Sequence, residues 1–249
     1  MSEQLPPPSG PVDLLEVRGI RFVEGPPLRL PPGERQAMDH AWEEAVRGNP
    51  GFFDGPVCGA SGLDWEGPGR LVVTWTRATY RIHALRRVDG ATVLPSLFVG
   101  VVQSAEDGGL LVGRMSSSTA APGRWQLPGG GAEPPAGAQP LDLDTLRRHA
   151  ARELAEETGL LTPPEELSLW LLTHAPGRAL GLLFRAPVRP ARLLRERFAA
   201  LVASERAQGR DPELDRIAFV RSPAELPGLG GRRVNYLEKV VGRYAARTG

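Results

Sequence analysis

At 249 residues, the chain is long enough to form one large domain, or one domain with a sizeable extension. Its 41% hydrophobic and 24% charged residues are ordinary for a globular protein, and its net charge of +1 argues against a general nucleic-acid binder or a polybasic membrane contact. The single cysteine, Cys58, excludes an internal disulfide and a cysteine-rich zinc site.

The N-terminal residues 1–10 are polar and proline-rich, and we expect them to be disordered. They lack the apolar core of a signal peptide, and no uninterrupted apolar run in the chain approaches the length that spans a bilayer. We therefore expect a soluble, cytoplasmic protein with neither a membrane nor a nucleic acid as its partner.

The first third of the chain predicts strands around one helix. Residues 12–25 are rich in β-formers and indicate one or two strands. Residues 31–50 predict a helix, because prolines precede it, alanines recur at helical spacing, and Gly48 and Pro50 end it. Residues 70–82, RLVVTWTRATYRI, are typical of a strand.

The rest of the chain alternates strands and helices. In chain order we expect two strands around an Asp-Gly-Gly turn in 94–116, a helix at 144–158, paired core strands at 167–176 and 179–188, a helix or charged connector at 192–204, a strand at 215–222 and an amphipathic helix at 231–247. This order predicts an α/β fold, an α/β/α sandwich with a mixed sheet. We expect residues 94–249 to form that domain and residues 1–93 to form an α+β extension packed against it.

Two adjoining segments carry the chemistry. The first, GRWQLPGGGAEPP at residues 123–135, is rich in glycine, which lets a backbone approach a ligand closely. The second, RELAEETGL at residues 152–160, places Glu153, Glu156 and Glu157 on one helical face, where their charges repel. A hard divalent cation removes that repulsion and prefers oxygen ligands. The alternative, a solvated helix face, does not explain the glycine loop, so the pair predicts a site that holds Mg²⁺ against a pyrophosphate.

The combined pattern resembles the signature of the Nudix hydrolases: Gly, five residues, Glu, seven residues, then Arg-Glu-apolar-x-Glu-Glu-x-Gly-apolar. Residues 152–160 match the second half at every specified position, and Gly130 is the glycine of the first half. The first glutamate would fall at Ala136, and the acid considered in its place is Asp144, seven residues before Arg152, so this loop is about eight residues longer than the pattern. Asp144 is either a metal ligand or the N-cap of the helix.

The resemblance implies a pyrophosphohydrolase that uses Mg²⁺, with Mn²⁺ able to substitute. It implies Glu156 and Glu157 as metal ligands, Glu153 as a ligand or as the base that activates water, and Arg152 as the residue that orients Glu153. Glu153, Arg152 and Glu157 are therefore the candidate catalytic residues.

The same resemblance extends the metal site beyond the helix. The carbonyl group of Gly130 or Gly131 is expected to complete the metal shell. Members of the family often add a carboxylate from a later loop, and Glu213 or Asp215 is the candidate here, with a plain surface acid as the alternative.

A second resemblance concerns the extension. The runs AWEEAVRGNPGFFDGPV and TWTRATYRIHALRR, at 41–57 and 74–87, are similar to the extension of a Nudix subgroup that cleaves UDP-sugars and that also has a long insertion in its signature. This implies UDP-glucose or UDP-galactose as the substrate, giving UMP and a sugar 1-phosphate. The alternatives are ADP-ribose or another dinucleotide, and a catalytically weak nucleotide-sensing module. In each case the partner is a small-molecule nucleotide.

Several further residues are candidates for substrate binding. Arginines beside the glycine loop suit a phosphate, a phenylalanine in the turn suits a base, and a tyrosine at a strand end can reach a nucleotide, although solvent exposure or core packing is the alternative for each. The full group is Gly130, Gly131, Arg114, Arg124, Phe53 (or its neighbour Phe52) and Tyr80. Three histidines show no ligand spacing and are expected to have no special role: His83, His149 and His174.

Overall fold

The computed structural model describes residues 12–49, 51–137 and 139–248, so the disorder predicted for residues 1–10 lies outside the described residues. The strands are β1 Asp13–Leu15, β2 Gly19–Glu24, β3 Pro56–Trp65, β4 Arg70–Thr79, β5 Ser96–Val102, β6 Leu110–Met115, β7 Trp125–Gln126, β8 Ser168–Ala175, β9 Ala179–Arg185 and β10 Leu214–Val220. The α-helices are α1 Pro32–Gly48, α2 Leu143–Thr158, α3 Ala191–Ala207 and α4 Leu237–Thr248.

The strands form two sheets. Seven of them make a mixed sheet in the order β1-β8-β9-β5-β3-β4-β2, in which the β2–β4 and β5–β9 pairs are parallel. The other three make an antiparallel sheet in the order β10-β6-β7. Strand β5 lies near the middle of the larger sheet, beside the segment that carries the glycines.

The two faces of β5 pack against different helices. Leu97 and Val99 belong to the same buried cluster as Leu154 of α2, whereas Val102 belongs to the cluster that contains Val240 of α4. Alternating side chains of a strand point to opposite faces of the sheet, so a strand that is apolar on both faces is covered by helices on both sides. The predicted α/β/α sandwich with a mixed sheet is confirmed.

Most predicted elements are present. Strands β8 and β9 are antiparallel neighbours, as the two adjoining apolar runs indicated. Residues 191–207 form helix α3 and not a charged connector. The two strands of residues 94–116 also exist, but they pair mainly with other strands, since β5 joins the larger sheet and β6 joins the smaller one.

Strand β3 was not predicted, because its sequence PVCGASGLDW contains two glycines and few β-branched residues. The structure explains one of these glycines. A Cβ atom at Gly59 would lie 2.2 Å from Cδ2 of Leu94, a side chain that packs over the strand. Close packing therefore requires the residue that made the segment unlike a strand.

Helix α4 begins at Leu237, six residues later than the 231–247 prediction. The preceding residues run extended beside β7: the Trp125 N–H donates to the Arg232 carbonyl at 2.8 Å, and the Val234 N–H donates to the Trp125 carbonyl at 3.0 Å. This pairing with a distant segment replaces the first helical turn that the local pattern favoured.

The N-terminal elements are part of the larger sheet or pack on it. Strands β3, β4 and β2 continue it beyond β5, and β1 pairs with β8 at the opposite edge. Helix α1 places Trp42 against Phe52 and Tyr80, with ring centroids 5.8 and 6.3 Å away. The division between an extension and a domain at residue 93 stays a prediction. Within the described ranges, no helix has the length and apolarity needed to cross a membrane.

Candidate active site

The glycine segment is held against β5 by backbone hydrogen bonds. The Val101 N–H donates to the Pro128 carbonyl at 2.8 Å, the Val99 N–H donates to the Gly130 carbonyl at 3.0 Å, and the Ala132 N–H donates to the Leu97 carbonyl at 2.9 Å. Between them, Gly129 has a φ of 143°, and a Cβ there would lie 2.2 Å from the Val99 carbonyl oxygen. Only glycine fits such an approach, so the segment is rigidly placed at the sheet.

Helix α2 brings its acidic last turn to this segment. Asp142 caps the start of the helix, because its side chain accepts a hydrogen bond from the Thr145 N–H at 2.7 Å, and Gly159 ends the helix in the left-handed conformation with a φ of 73°. The N-cap alternative for Asp144 is therefore wrong. Asp144 lies in the first turn, where its exposed carboxylate pairs with Arg147.

Glu157 is the most buried of the three glutamates, with 1% of its surface exposed. Its Oε2 accepts a hydrogen bond from the Gly129 N–H at 2.8 Å, while its buried Oε1 has no hydrogen-bond partner. Burial raises the pKa of Glu157 well above its usual value, and the negative charge of Glu213 raises it further. A buried carboxylate with one unpaired oxygen is well suited to bind a cation.

Glu213 approaches this group from the segment before β10. Burial raises the pKa of Glu213, and the charges of Glu153 and Glu156 add to that increase. The pKa of the exposed Glu156 is also raised, by partial burial and then by the charge of Glu153. Carboxylates from α2 and from a later loop therefore repel one another in one place, although they are about sixty positions apart along the chain.

Glu153 faces the glycine segment and a histidine. Its Oε1 lies 2.8 Å from Nε2 of the buried His149, although the two are not aligned as a hydrogen bond. Its Oε2 is the atom nearest to Gly130, where a Cβ would come within 2.6 Å of it. The sequence analysis gave His149 no role, yet its position four residues before Glu153 on a helix is the signal that places them together.

Arg152 has different partners from those expected. Its guanidinium lies 3.1 Å from Oε2 of Glu133, 3.0 Å from Nδ1 of His149 and 4.0 Å from Oε1 of Glu156. Glu133, at the end of the glycine segment, was also missed by the sequence analysis. Among the described contacts, the His149 ring lies between the Arg152 guanidinium and the Glu153 carboxylate, so the expected orienting role of Arg152 stays a prediction that would act through His149.

A cleft of about 690 Å³ opens beside these acids. Its walls include Glu153, Glu156 and Glu213 together with the glycines Gly129, Gly130 and Gly131. The N-terminal third of the chain supplies Phe53 and Tyr80, and the segment before α4 supplies Tyr236, which stacks on Phe98 at 5.5 Å. The cleft is thus shared between the segments on either side of residue 93.

The remaining candidates fall into two groups. Phe53 is 79% exposed at the cleft, whereas Tyr80 is largely buried and its ring packs on Phe52 and His83. Arg124 also lines the cleft. Arg114 does not line it; instead its Nε and Nη2 donate to the two carboxylate oxygens of Asp215 at 2.7 and 2.9 Å. Of the two later carboxylates considered, only Glu213 lies at the acidic cluster.

The family model described as the NUDIX domain matches residues 95–234, which is more than half of the chain. The chain belongs to the NUDIX domain family. Its fold is that of the Nudix hydrolases, and the match covers the glycine segment, helix α2 and Glu213. The predicted family is confirmed.

Three solved Nudix structures resemble the chain. The MutT protein from Methanosarcina mazei Go1 is 20% identical, with a TM-score of 0.41 and coverage of 62% of this chain and 96% of that one. A NUDIX hydrolase from Nitrosomonas europaea is 17% identical, with a TM-score of 0.37 and coverage of 62% and 90%. The NUDIX domain of Shewanella oneidensis NrtR, complexed with ADP ribose, is 15% identical, with a TM-score of 0.38 and coverage of 62% and 88%. A search of curated proteins found no match.

Nudix hydrolases generally use a divalent cation, typically Mg²⁺. Among the described residues, no three acidic, histidine or cysteine side chains already converge as a ligand set. The donor chemistry nevertheless fits such an ion, because the cluster supplies carboxylate oxygens, the Glu157 Oε1 lacks a partner, and burial and mutual repulsion raise the pKa values of Glu156, Glu157 and Glu213.

Proposed function

We propose that this Nudix protein is a pyrophosphohydrolase that cleaves a nucleoside diphosphate joined to a second group. The observation that carries the proposal is the unpaired, buried Oε1 of Glu157 within a carboxylate cluster that borders a glycine-lined cleft. The cleft volume of about 690 Å³ suits a nucleotide-sized ligand, since pockets for small molecules occupy roughly 300–1,000 Å³.

The side chains at the site have different proposed roles, according to their positions. Glu153, Glu156, Glu157 and Glu213 would hold Mg²⁺, which supplies neutralisation of phosphate charge and makes a water molecule more acidic when it is bound. Glu153 is placed to accept the proton of the attacking water at Oε2, the oxygen that faces Gly130. His149, 2.8 Å from the other oxygen, restrains that carboxylate, and Arg152 restrains Glu133 and Glu156 at the rim.

The proposed substrates are UDP-glucose and UDP-galactose, with UMP and a sugar 1-phosphate as products. The support is the resemblance of residues 41–57 and 74–87 to the extension of UDP-sugar hydrolases, together with the position of Phe53 and Tyr80 on the cleft wall. The test is product analysis with UDP-sugars, ADP-ribose and dinucleotides at equal concentration, with Mg²⁺ and with Mn²⁺. Cleavage of ADP-ribose with inert UDP-sugars would overturn the substrate and keep the chemistry.

The proposed metal-dependent hydrolysis is tested separately with the double variant Glu156→Gln and Glu157→Gln. We expect turnover to fall by a factor of about a thousand or more, because two ligand charges for the cation are lost. The matched control is Glu165→Gln with Glu166→Gln, an adjacent pair of exposed glutamates that does not line the cleft. Full Mg²⁺-dependent turnover in the first variant contradicts the proposal, and nucleotide binding by the wild type without any product points to a sensing module.

A further inference from the structure

Two arginines in the cleft have no acidic partner. Arg86 lies in the last turn of the 3-10 helix Tyr80–Arg87, Arg124 directly precedes β7, and both line the cleft. Neither takes part in any ion pair among the described residues. Arg114 shows the contrast, since Asp215 binds it at 2.7 Å. A partly buried guanidinium without a carboxylate is left with its charge uncompensated.

Their hydrogen-bonding capacity is only partly used. Arg86 donates from Nη2 to Ser96 Oγ at 2.6 Å, and Arg124 donates from Nη2 to Gln126 Oε1 at 2.9 Å. Both of these acceptors are neutral. The Nε atoms of the two arginines are buried and have no partner among the described residues. Each side chain is only half-buried and lines the cleft, so its remaining N–H groups can donate to an anionic ligand with several oxygens.

The surroundings of Arg86 favour an anion over a neutral ligand. Burial lowers the pKa of Arg86, and the positive charges of Arg178 and Arg124 lower it further. The neighbouring His83 is buried, its Nδ1 has no partner, and its Nε2 lies 3.4 Å from Ser96 Oγ. Positive charge and unused nitrogen atoms therefore collect at one part of the wall.

The arginines act on the same part of the cleft as the carboxylates. Burial raises the pKa of Tyr80, the charges of Arg86 and Arg124 lower it, and the charge of Glu213 raises it. A single hydroxyl group thus responds to both arginines and to one member of the acidic cluster. Both arginines and the acids Glu153, Glu156 and Glu213 line one cleft of about 690 Å³, a volume that suits a ligand of nucleotide size.

We propose that Arg86 and Arg124 bind one phosphoryl group of the substrate directly, without a metal ion. The proposal rests on the proposed function, because it assigns the two halves of a pyrophosphate to different groups. One phosphoryl group lies at the carboxylate cluster with its cation, and the other lies between the two guanidinium groups. Arg86 comes from the N-terminal third and Arg124 from the matched Nudix region, so the extension takes part in selecting pyrophosphate-containing substrates.

The test measures binding of inorganic pyrophosphate in the presence of EDTA by isothermal titration calorimetry. The wild type is expected to bind, and Arg86→Gln and Arg124→Gln are each expected to weaken binding about tenfold or more, because each removes charge-assisted hydrogen bonds. Arg18→Gln is the matched control, since it removes the same charge from an exposed side chain that does not line the cleft and does not act on the pKa of Arg86 or Arg124. It is expected to change binding less than about twofold.

Folding is checked by thermal unfolding of each variant. If a glutamine variant unfolds early, Arg86→Lys and Arg124→Lys take its place; they keep the charge, lose the planar fork, and are expected to bind with intermediate affinity. Absence of pyrophosphate binding by the wild type, or equal binding by the arginine variants and the Arg18→Gln control, overturns the proposal.

The outcome of the pyrophosphate binding test can be distinguished from the outcome of the test of hydrolase activity. The variant with Glu156→Gln and Glu157→Gln is expected to bind pyrophosphate in EDTA at least as tightly as the wild type, because it has lost two like charges. Metal-free binding that depends on both arginines, without hydrolysis of any nucleotide, keeps the arginine site and refutes the hydrolase. Hydrolysis of a nucleotide without metal-free pyrophosphate binding keeps the hydrolase and refutes the arginine site.

Discussion

At the scale of single residues, Glu157 shows a conflict that a bound cation would resolve. Its carboxylate is removed from water, one oxygen accepts the Gly129 N–H, and the other has no partner. Burying a charge without compensation opposes folding, so the metal-free protein carries this cost and a bound ion relieves it. The proposed metal site therefore predicts that stability and metal binding are coupled at Glu157.

This coupling predicts a response to metal removal. Adding Mg²⁺ to the EDTA-treated wild type is expected to raise the free energy of unfolding by about 2–3 kcal/mol at a hundred times the dissociation constant, because only the folded state binds the ion. In Glu157→Gln the metal-free protein is expected to be more stable and the Mg²⁺ response smaller. Thermal unfolding with and without Mg²⁺ measures both effects. A response equal to that of the wild type would remove Glu157 from the site.

Phe53 is an exposed aromatic residue on the cleft wall, where 79% of it faces solvent. Phe53→Ala is expected to raise KM about fivefold or more, because stacking of a base on an aromatic ring contributes roughly 1–3 kcal/mol. The free energy of unfolding should change by less than about 0.5 kcal/mol. Val188→Ala, at a residue that is 60% exposed outside the cleft, is the control. Unchanged KM for every substrate would leave Phe53 without a binding role.

His83 predicts how stability depends on pH. Burial, followed by the charge of Arg86, lowers the pKa of His83 from 6.5 to about 3. Below pH 6.5 the unfolded chain therefore binds a proton at His83, whereas the folded protein does not. The free energy of unfolding consequently decreases as the pH falls from 6.5 towards 3. Between about pH 6.5 and pH 4.5 this loss amounts to about 2–3 kcal/mol.

The measurement compares denaturant unfolding of the wild type and His83→Gln at those two pH values. The variant is expected to lose less stability on acidification, whatever its stability at neutral pH. His40→Gln, which changes an exposed histidine of α1, should keep the wild-type slope. Equal slopes for His83→Gln and the wild type would show that His83 does not titrate as its burial requires.

At the scale of elements, the position of the acidic turn depends on how α2 ends. Gly159 has a φ of 73°, and a Cβ there would lie 2.7 Å from the Arg197 carbonyl oxygen of α3. The glycine therefore serves two purposes: it permits the left-handed turn and it allows α3 to approach the end of α2. Both conditions hold Glu156 and Glu157 at the glycine segment.

Gly159→Ala is expected to destabilise the protein by more than Gly177→Ala. Gly177 has a similar φ of 67° in the turn between β8 and β9, but nothing lies within 4 Å of an added Cβ. The control thus contains only the backbone strain, about 1–2 kcal/mol, and the difference between the two variants reports the contact with α3. Equal losses of the free energy of unfolding in the two variants, measured by chemical denaturation, would show that α3 shifts away from the added methyl group without an energetic cost.

At the scale of the whole molecule, the sheet crosses the expected boundary at residue 93. Strand β3 pairs with β4 along its length and with β5 at Gly59 and Ser96, while β1 pairs with β8. The cleft is shared in the same way, with Phe53, Tyr80 and Arg86 on one side of the boundary and Arg124 and the acids on the other. If the cleft binds the substrate as proposed, binding and the packing of the N-terminal third are expected to be linked.

The shared sheet predicts one cooperative unfolding transition. Calorimetry is expected to give equal calorimetric and van't Hoff enthalpies for the full chain, because loss of β3 and β4 would expose one face of the core. Trp42→Ala, in the packing of α1, is expected to lower the midpoint of that single transition at a cost of about 3–5 kcal/mol. Two separate transitions, with only the first moved by Trp42→Ala, would show that residues 1–93 unfold on their own.

The local features of this protein were readable from its sequence. The spacing of Glu153, Glu156 and Glu157 and the glycines on either side of them predicted the acidic cluster, because helical periodicity and glycine conformation act over a few residues. The same residues carry the resemblance that predicted the family. The same locality explains why α1 and the β8–β9 pair were predicted within a few residues of their bounds.

Only the tertiary structure decided which of these residues are buried and which distant residues meet. It buried Glu157 and left Glu156 exposed, gave the cap of α2 to Asp142, required Gly59 inside a strand, and placed Arg86 in one cleft with Arg124. Burial, and the contacts between segments far apart in the chain, arise when the sheet and helices pack together. A pattern of neighbouring residues therefore cannot predict burial or these long-range contacts.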